Sequence, residues 1–199
     1  MRYKYTLFFI AIIFSLTSEL KAQKSTSSDD DALIIYKTVN NFFEWYIDAI
    51  KQKKSEYKPI FVEGKNGMTT LDFTEYFANL TKYGLSDSLI IKEKMSYQRC
   101  VANLENIKYS DLKTKFILGD FEEIGCDFGN SFRWTGGQEP IDGIRINSLQ
   151  FNDSNSTTVS IDQYYDTKEA RYYSWRSYAV VLIKIKDNWK IDSIECKQQ

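Results

Sequence analysis

The chain of 199 residues contains no histidine, and this narrows the chemistry open to it. Without imidazole there is no Ser-His-Asp triad, no Cys-His pair and no HExxH zinc site. Acid–base work would fall to Asp, Glu, Tyr, Lys or Arg. An aspartate base with a tyrosine donor in an apolar pocket can move a proton beside a carbonyl. Asp120, Asp127 and Asp142, with Tyr165 as donor, are the residues from which to build one. The plainer reading is that these acids are solvated, because a perturbed carboxylate needs a pocket around it. Glu122-Glu123 and the acids at 29–31 lack the alternating oxygen spacing of a calcium loop, and adjacent acids do not face each other as a glycosidase pair does. No catalytic residue, metal or cofactor is assigned, and an enzyme is the less favoured reading.

A binding site is better founded. Gln163, Tyr165, Trp175 and Ser177 share the expected inward parity of two C-terminal strands and lie beyond the apolar positions. Polar and aromatic groups at the open end of a sheet suit a small ligand with a polar handle. An aromatic cluster closing the core would use the same residue types. The three cysteines, Cys100, Cys126 and Cys196, are too far apart for a CxxC motif; at most one pair can close, and one thiol is left over.

The elements that must position these residues are legible from periodicity. Over 171–196 the chain reads as a long strand, a tight turn at Asp187-Asn188 and a partner strand. The odd positions Trp175, Ser177, Ala179, Val181, Ile183 and Ile185 are expected to meet the core, and the even ones to face outward. On that outer face Asp162 and Arg176 are expected to pair. Tyr164, Tyr178, Val180 and Leu182 would make an apolar strip there, open to a homodimer. Ile194 is out of phase with Trp189 and Ile191, which predicts a bulge near Ser193. Val159, Ile161, Gln163 and Tyr165 alternate along an earlier strand, and 144–151 reads as another.

Upstream, Ile35, Val39, Phe42, Tyr46 and Ile50 recur at helical spacing, which predicts a helix over 32–54 with a broad aromatic face. Residues 59–68 read as loop. A helix is expected over 71–83, stopped by Gly84, and a third over 87–105, capped by Ser86. The stretch 108–139 reads as short helical turns and a long surface loop, with Phe132 and Trp134 available to a protein partner. Helices followed by an antiparallel meander is the grammar of an α+β domain.

The N-terminus carries an address. Arg2 and Lys4 precede a continuous apolar run over 7–16, and Leu20-Lys21-Ala22 offers a small-residue cleavage site. That is signal-peptide anatomy, and the run is too short to span a bilayer. The reading is a cleaved signal over 1–22, a disordered polar leader over 23–31 and one domain over 32–199, periplasmic or secreted, with no lipoprotein cysteine. Removing 1–22 takes away Arg2, Lys4, Lys21 and Glu19, which leaves 23 basic against 26 acidic residues. A mildly acidic chain has no basic footprint for nucleic acid.

Phe42-Phe43-x-Trp45-Tyr46 in the first helix and Trp189-Lys190-Ile191-Asp192-Ser193-Ile194 at the end resemble secreted bacterial members of the nuclear transport factor 2-like superfamily. The closest resemblance is to those grouped as domain of unknown function 3828, over roughly 35–195. The resemblance implies a curved sheet wrapped around a long helix, a cystatin-like cone with a pocket, and no particular activity. The expectation is an exported, non-enzymatic domain that binds a small molecule or an envelope protein. The alternatives are a small lyase, isomerase or hydrolase using Asp and Tyr, and an inhibitor or immunity-type module docking through 108–139.

Overall fold

The computed structural model describes residues 4–129 and 131–197, with side chains from Ser28 onward except those of Leu118 and Gly129. The side chains of the segment read as the export signal lie outside those described. Helix α1 (Lys4–Lys51) crosses two compact units, residues 1–37 and 38–199. In the first unit the backbone is helical from Lys4, and Leu33 and Tyr36 are exposed. In the second, Val39, Phe42, Phe43, Trp45, Tyr46, Ile47, Ala49 and Ile50 are buried, which is the broad aromatic face that the spacing predicts. The helix ends at Lys51, and Lys53 turns the chain with φ 55°.

Residues 59–68 are not plain loop. Strand β1 (Ile60–Glu63) pairs antiparallel with β2 (Thr69–Asp72), and Asn66 (φ 59°) and Gly67 (φ 73°) turn the chain between them. The Asp72 carboxylate accepts from Thr74 N at 2.8 Å just ahead of α2 (Thr74–Lys82), which begins later than the expected 71. Gly84, at φ 94°, ends that turn of chain as predicted. Ser86 Oγ accepts from Leu89 N at 3.0 Å and caps α3 (Asp87–Ser96). The single helix expected over 87–105 is two, because the backbone at Tyr97 (φ −90°, ψ −1°) breaks it before α4 (Gln98–Leu104). Two short helices follow, α5 (Tyr109–Lys115) and α6 (Leu118–Glu123).

The C-terminal sheet is an antiparallel meander in the order β3 (Gly143–Phe151), β4 (Ser156–Asp166), β5 (Arg171–Ile185), β6 (Asn188–Lys197). The fold is α+β, with the helices ahead of the sheet. In β4 the phase is as predicted: Val159 and Ile161 are fully buried and Gln163 nearly so. In β5 it is inverted. Cross-strand partners share a face, and Val159 faces Val180 while Ile161 faces Tyr178. The even residues Tyr178, Val180 and Leu182 therefore join the core, and Trp175 is 71% exposed. Of the strip nominated for a homodimer, Tyr178, Val180 and Leu182 are thus covered by the chain itself, and Tyr164 is half-buried.

The turn is Lys186-Asp187, with φ 47° and 65°, one residue earlier than expected; Ile185 pairs with Asn188 across it. Two left-handed residues in a two-residue loop match the right-handed twist of a hairpin. The bulge expected near Ser193 is present, between the pairs Val181–Ser193 and Leu182–Ile191. The β6 edge is partly capped where Ser86 N donates to Ile191 O and Ile191 N donates to Gly84 O, each at 2.8 Å.

Candidate functional site: a cleft between the hairpin and the short helices

The four residues expected at a pocket mouth do not converge. Gln163 is buried, and its Nε2 donates to Thr135 O at 3.1 Å. Tyr165 is half-buried at the same end of β4. Ser177 lies on the opposite face, where its Oγ donates to Asp162 at 2.9 Å, and Trp175 stands in solvent with Arg176 4.7 Å from its ring. Asp162 pairs with Arg145 at 2.7 Å rather than with Arg176, whose Nη1 donates to Gly136 O.

The proposed acid–base residues are equally dispersed. Asp120 accepts from Ile117 N at the start of α6. Asp127 is exposed on a one-turn helix. Asp142 takes Lys51 Nζ at 2.6 Å and Asp166 N at 2.7 Å. The Lys51 contact, and then the Asp166 amide, hold its carboxyl below the usual range, which makes it a poor base. Of the two aromatics expected to be available to a protein partner, Trp134 is buried and Phe132 half-buried. The Trp134 ring meets Phe42 edge-on at 5.9 Å, and the Trp134 backbone N–H donates to Tyr46 Oη at 3.4 Å. Thr135 O accepts from both Gln163 and Tyr178, which seals this segment onto the inner face of the sheet. Gly136 is required there: it sits at φ 63°, and a Cβ would come within 2.7 Å of Tyr178 Oη.

One buried carboxylate was invisible in the sequence. Glu93, between two lysines on α3, has no exposed surface. Its Oε1 accepts from Tyr76 Oη at 2.8 Å and Tyr97 Oη at 2.9 Å, and its Oε2 accepts from Arg133 Nε at 2.7 Å. Trp134 Nε1 donates in turn to Tyr76 Oη at 3.2 Å. Burial, followed by the neighbouring ionisable groups, pushes the hydroxyls of Tyr76 and Tyr97 far up. They stay protonated and act as donors. Both carboxylate oxygens are engaged, and the network fastens α2, α3 and the 133–134 segment together.

An open volume with a largely apolar lining lies elsewhere. A cleft of about 490 Å³ runs between the β1–β2 hairpin and α5 and α6. Pro59, Ile60 and Phe61 form one wall, Tyr109 and Leu112 of α5 a second, and Phe121, Cys126 and Phe128 the back. Its positions are fixed by identifiable contacts. Thr69 N donates to Ile107 O at 2.8 Å, which ties the start of β2 to the chain entering α5. Phe61 meets both Phe121 and Phe128 with ring centroids 5.4 Å apart. Cys126 is bonded to Cys100 of α4, leaving Cys196 as the free and exposed thiol. Lys58 and Lys113 are the charged residues of the lining.

Among the described residues no group of three or more His, Cys, Asp or Glu side chains is placed to hold a metal, and no helix is long and apolar enough to cross a membrane. No family model, curated protein or solved structure matches the chain.

Proposed function

We propose that the protein is an exported, non-enzymatic binding domain of the nuclear transport factor 2-like kind, which takes a small apolar molecule in the cleft between its hairpin and α5 and α6. The cleft carries this reading. Its volume of about 490 Å³ falls in the range of small-molecule sites, and its walls are mainly aromatic and aliphatic. Export is supported by the apolar run and cleavage pattern over 1–22 and by the Cys100–Cys126 bond, of a kind that persists in oxidising compartments. The superfamily reading is supported by the order of a long first helix, further helices and a terminal antiparallel meander.

The test is to purify the mature chain from its native compartment, denature it and identify what is released by mass spectrometry. An apolar compound should be released from the native sequence and not from Ile60→Trp, which fills the cleft from its exposed rim. Equal recovery from both proteins would place the ligand elsewhere, and recovery of nothing from either would remove the reading.

A further inference from the structure

We propose that the cleft takes an amphipathic anion, with an apolar tail laid against Phe61 and Phe121 and a singly charged acidic head held by Lys58 and Lys113. This rests on the cleft being the ligand site and adds the chemical class of what it binds.

The charge pattern of the lining carries the inference. Both charged residues in the cleft wall are cations, and no carboxylate shares that wall. Among the described residues, Lys51, Lys54 and Lys115 have carboxylate partners, whereas no ion pair is formed by Lys58 or Lys113. Each instead leans on an aromatic ring: Lys58 Nζ is 5.5 Å from the Tyr57 centroid, and Lys113 Nζ is 4.5 Å from that of Tyr109. A ring face only partly replaces lost water around an ammonium.

Lys58 is half-buried, and that burial pulls its pKa down with no carboxylate offsetting it. Lys58 also lines a smaller recess that contains Asp72 and Glu75. Within that recess Asp72 accepts from Thr74 N at 2.8 Å and Glu75 from Ser55 Oγ at 3.5 Å, and among the described residues neither acid forms an ion pair with Lys58. A partly desolvated ammonium at the rim of an apolar cleft is stabilised by an incoming anion. A neutral ligand would leave it as it is, and a cationic one would be repelled. Two lysines, rather than a planar arginine fork, present point charges that suit a carboxylate, sulfate or phosphate ester alike.

The experiment is calorimetric titration of the mature chain with decanoate, decanol and decyltrimethylammonium, probes that share a tail and differ in the head. Decanoate should bind about tenfold more tightly than decanol, the gain of one charge-assisted contact, and the cation should bind least. Lys58→Met keeps the aliphatic stem and should bring decanoate down to the level of decanol while leaving decanol unchanged; an unchanged decanol affinity also shows that the cleft remains folded. Lys58→Glu should invert the order in favour of the cation. Phosphatidylglycerol vesicles should not displace decanoate, whereas displacement would favour a bilayer headgroup and overturn a free amphiphile. Equal binding of decanoate and decanol by the native chain, or an unaltered preference in Lys58→Met, would overturn the anion while leaving the apolar cleft in place. No binding of any of the three probes would overturn both.

Discussion

Glu93 shows how a single residue can be decisive and still unreadable. In Lys92-Glu93-Lys94 it looks like part of a solvated helix face, yet the fold removes it from water and surrounds it with Tyr76, Tyr97 and Arg133. No spacing rule connects residues separated by 17 and 40 positions. Removing one side of a buried charged network leaves its partners unsatisfied. Glu93→Ala should therefore lower unfolding stability by on the order of 3 kcal/mol, measured by urea denaturation. A loss within the noise would mean that the tyrosines find water. At the surface, burial raises the Asp162 carboxyl, but hydrogen bonds from Arg145, Asn147 and Ser177 outweigh it and set the net below the ordinary 3.8. A carboxylate lowered in the folded state contributes stability above its unfolded pKa and loses it as pH falls through the folded one. The urea midpoint should thus decline as pH drops below 3.8, and less steeply in Asp162→Asn than in the native chain.

At the scale of elements, legibility tracked how one-sided each pattern is. The β4 strand has an apolar set only on one face, so its phase could be read. In β5 the run Val180 to Ile183 is apolar on both faces, and the flanking Trp175 and Ile185 favoured the wrong parity. A shift by one residue exchanges the faces completely; only the cross-strand register with Val159 and Ile161 decides it. Leu182→Ala should accordingly cost about 2–5 kcal/mol, whereas Trp175→Ala should stay within about 0.5 kcal/mol, both from thermal or urea unfolding. The reverse ranking would restore the odd residues to the core. The capping signals at Gly84 and Ser86 were legible because their mechanism is local. The β1–β2 hairpin was not, since Pro59, Gly64 and Gly67 punctuate it as a loop would be, and four-residue strands leave little room for alternation.

Over the whole molecule, the cleft is assembled from segments that no sequence pattern joins: the chain at 58–61, α5, and the stretch from Phe121 to Phe128. The last of these is held by the Cys100–Cys126 bond, which closes a loop of sequence separation 26, together with the Phe61 ring contacts and Asn103 Nδ2 donating to Ile124 O at 2.9 Å. An odd cysteine count showed that one pair could form and left the choice open; the fold decides it. Replacing both cysteines by serine should lower stability by roughly 3 kcal/mol. It should also weaken ligand binding, since it frees the back wall of the cleft; binding unchanged at reduced stability would show that the wall is held by packing alone.

The most direct test of the account asks where a bound tail lies. With isotope-labelled mature protein and decanoate, intermolecular nuclear Overhauser effects should run from the tail protons to the Ile60 and Leu112 methyls at the cleft. Effects running instead to Val159, Ile161 or Val180, on the inner face of the sheet, would contradict it.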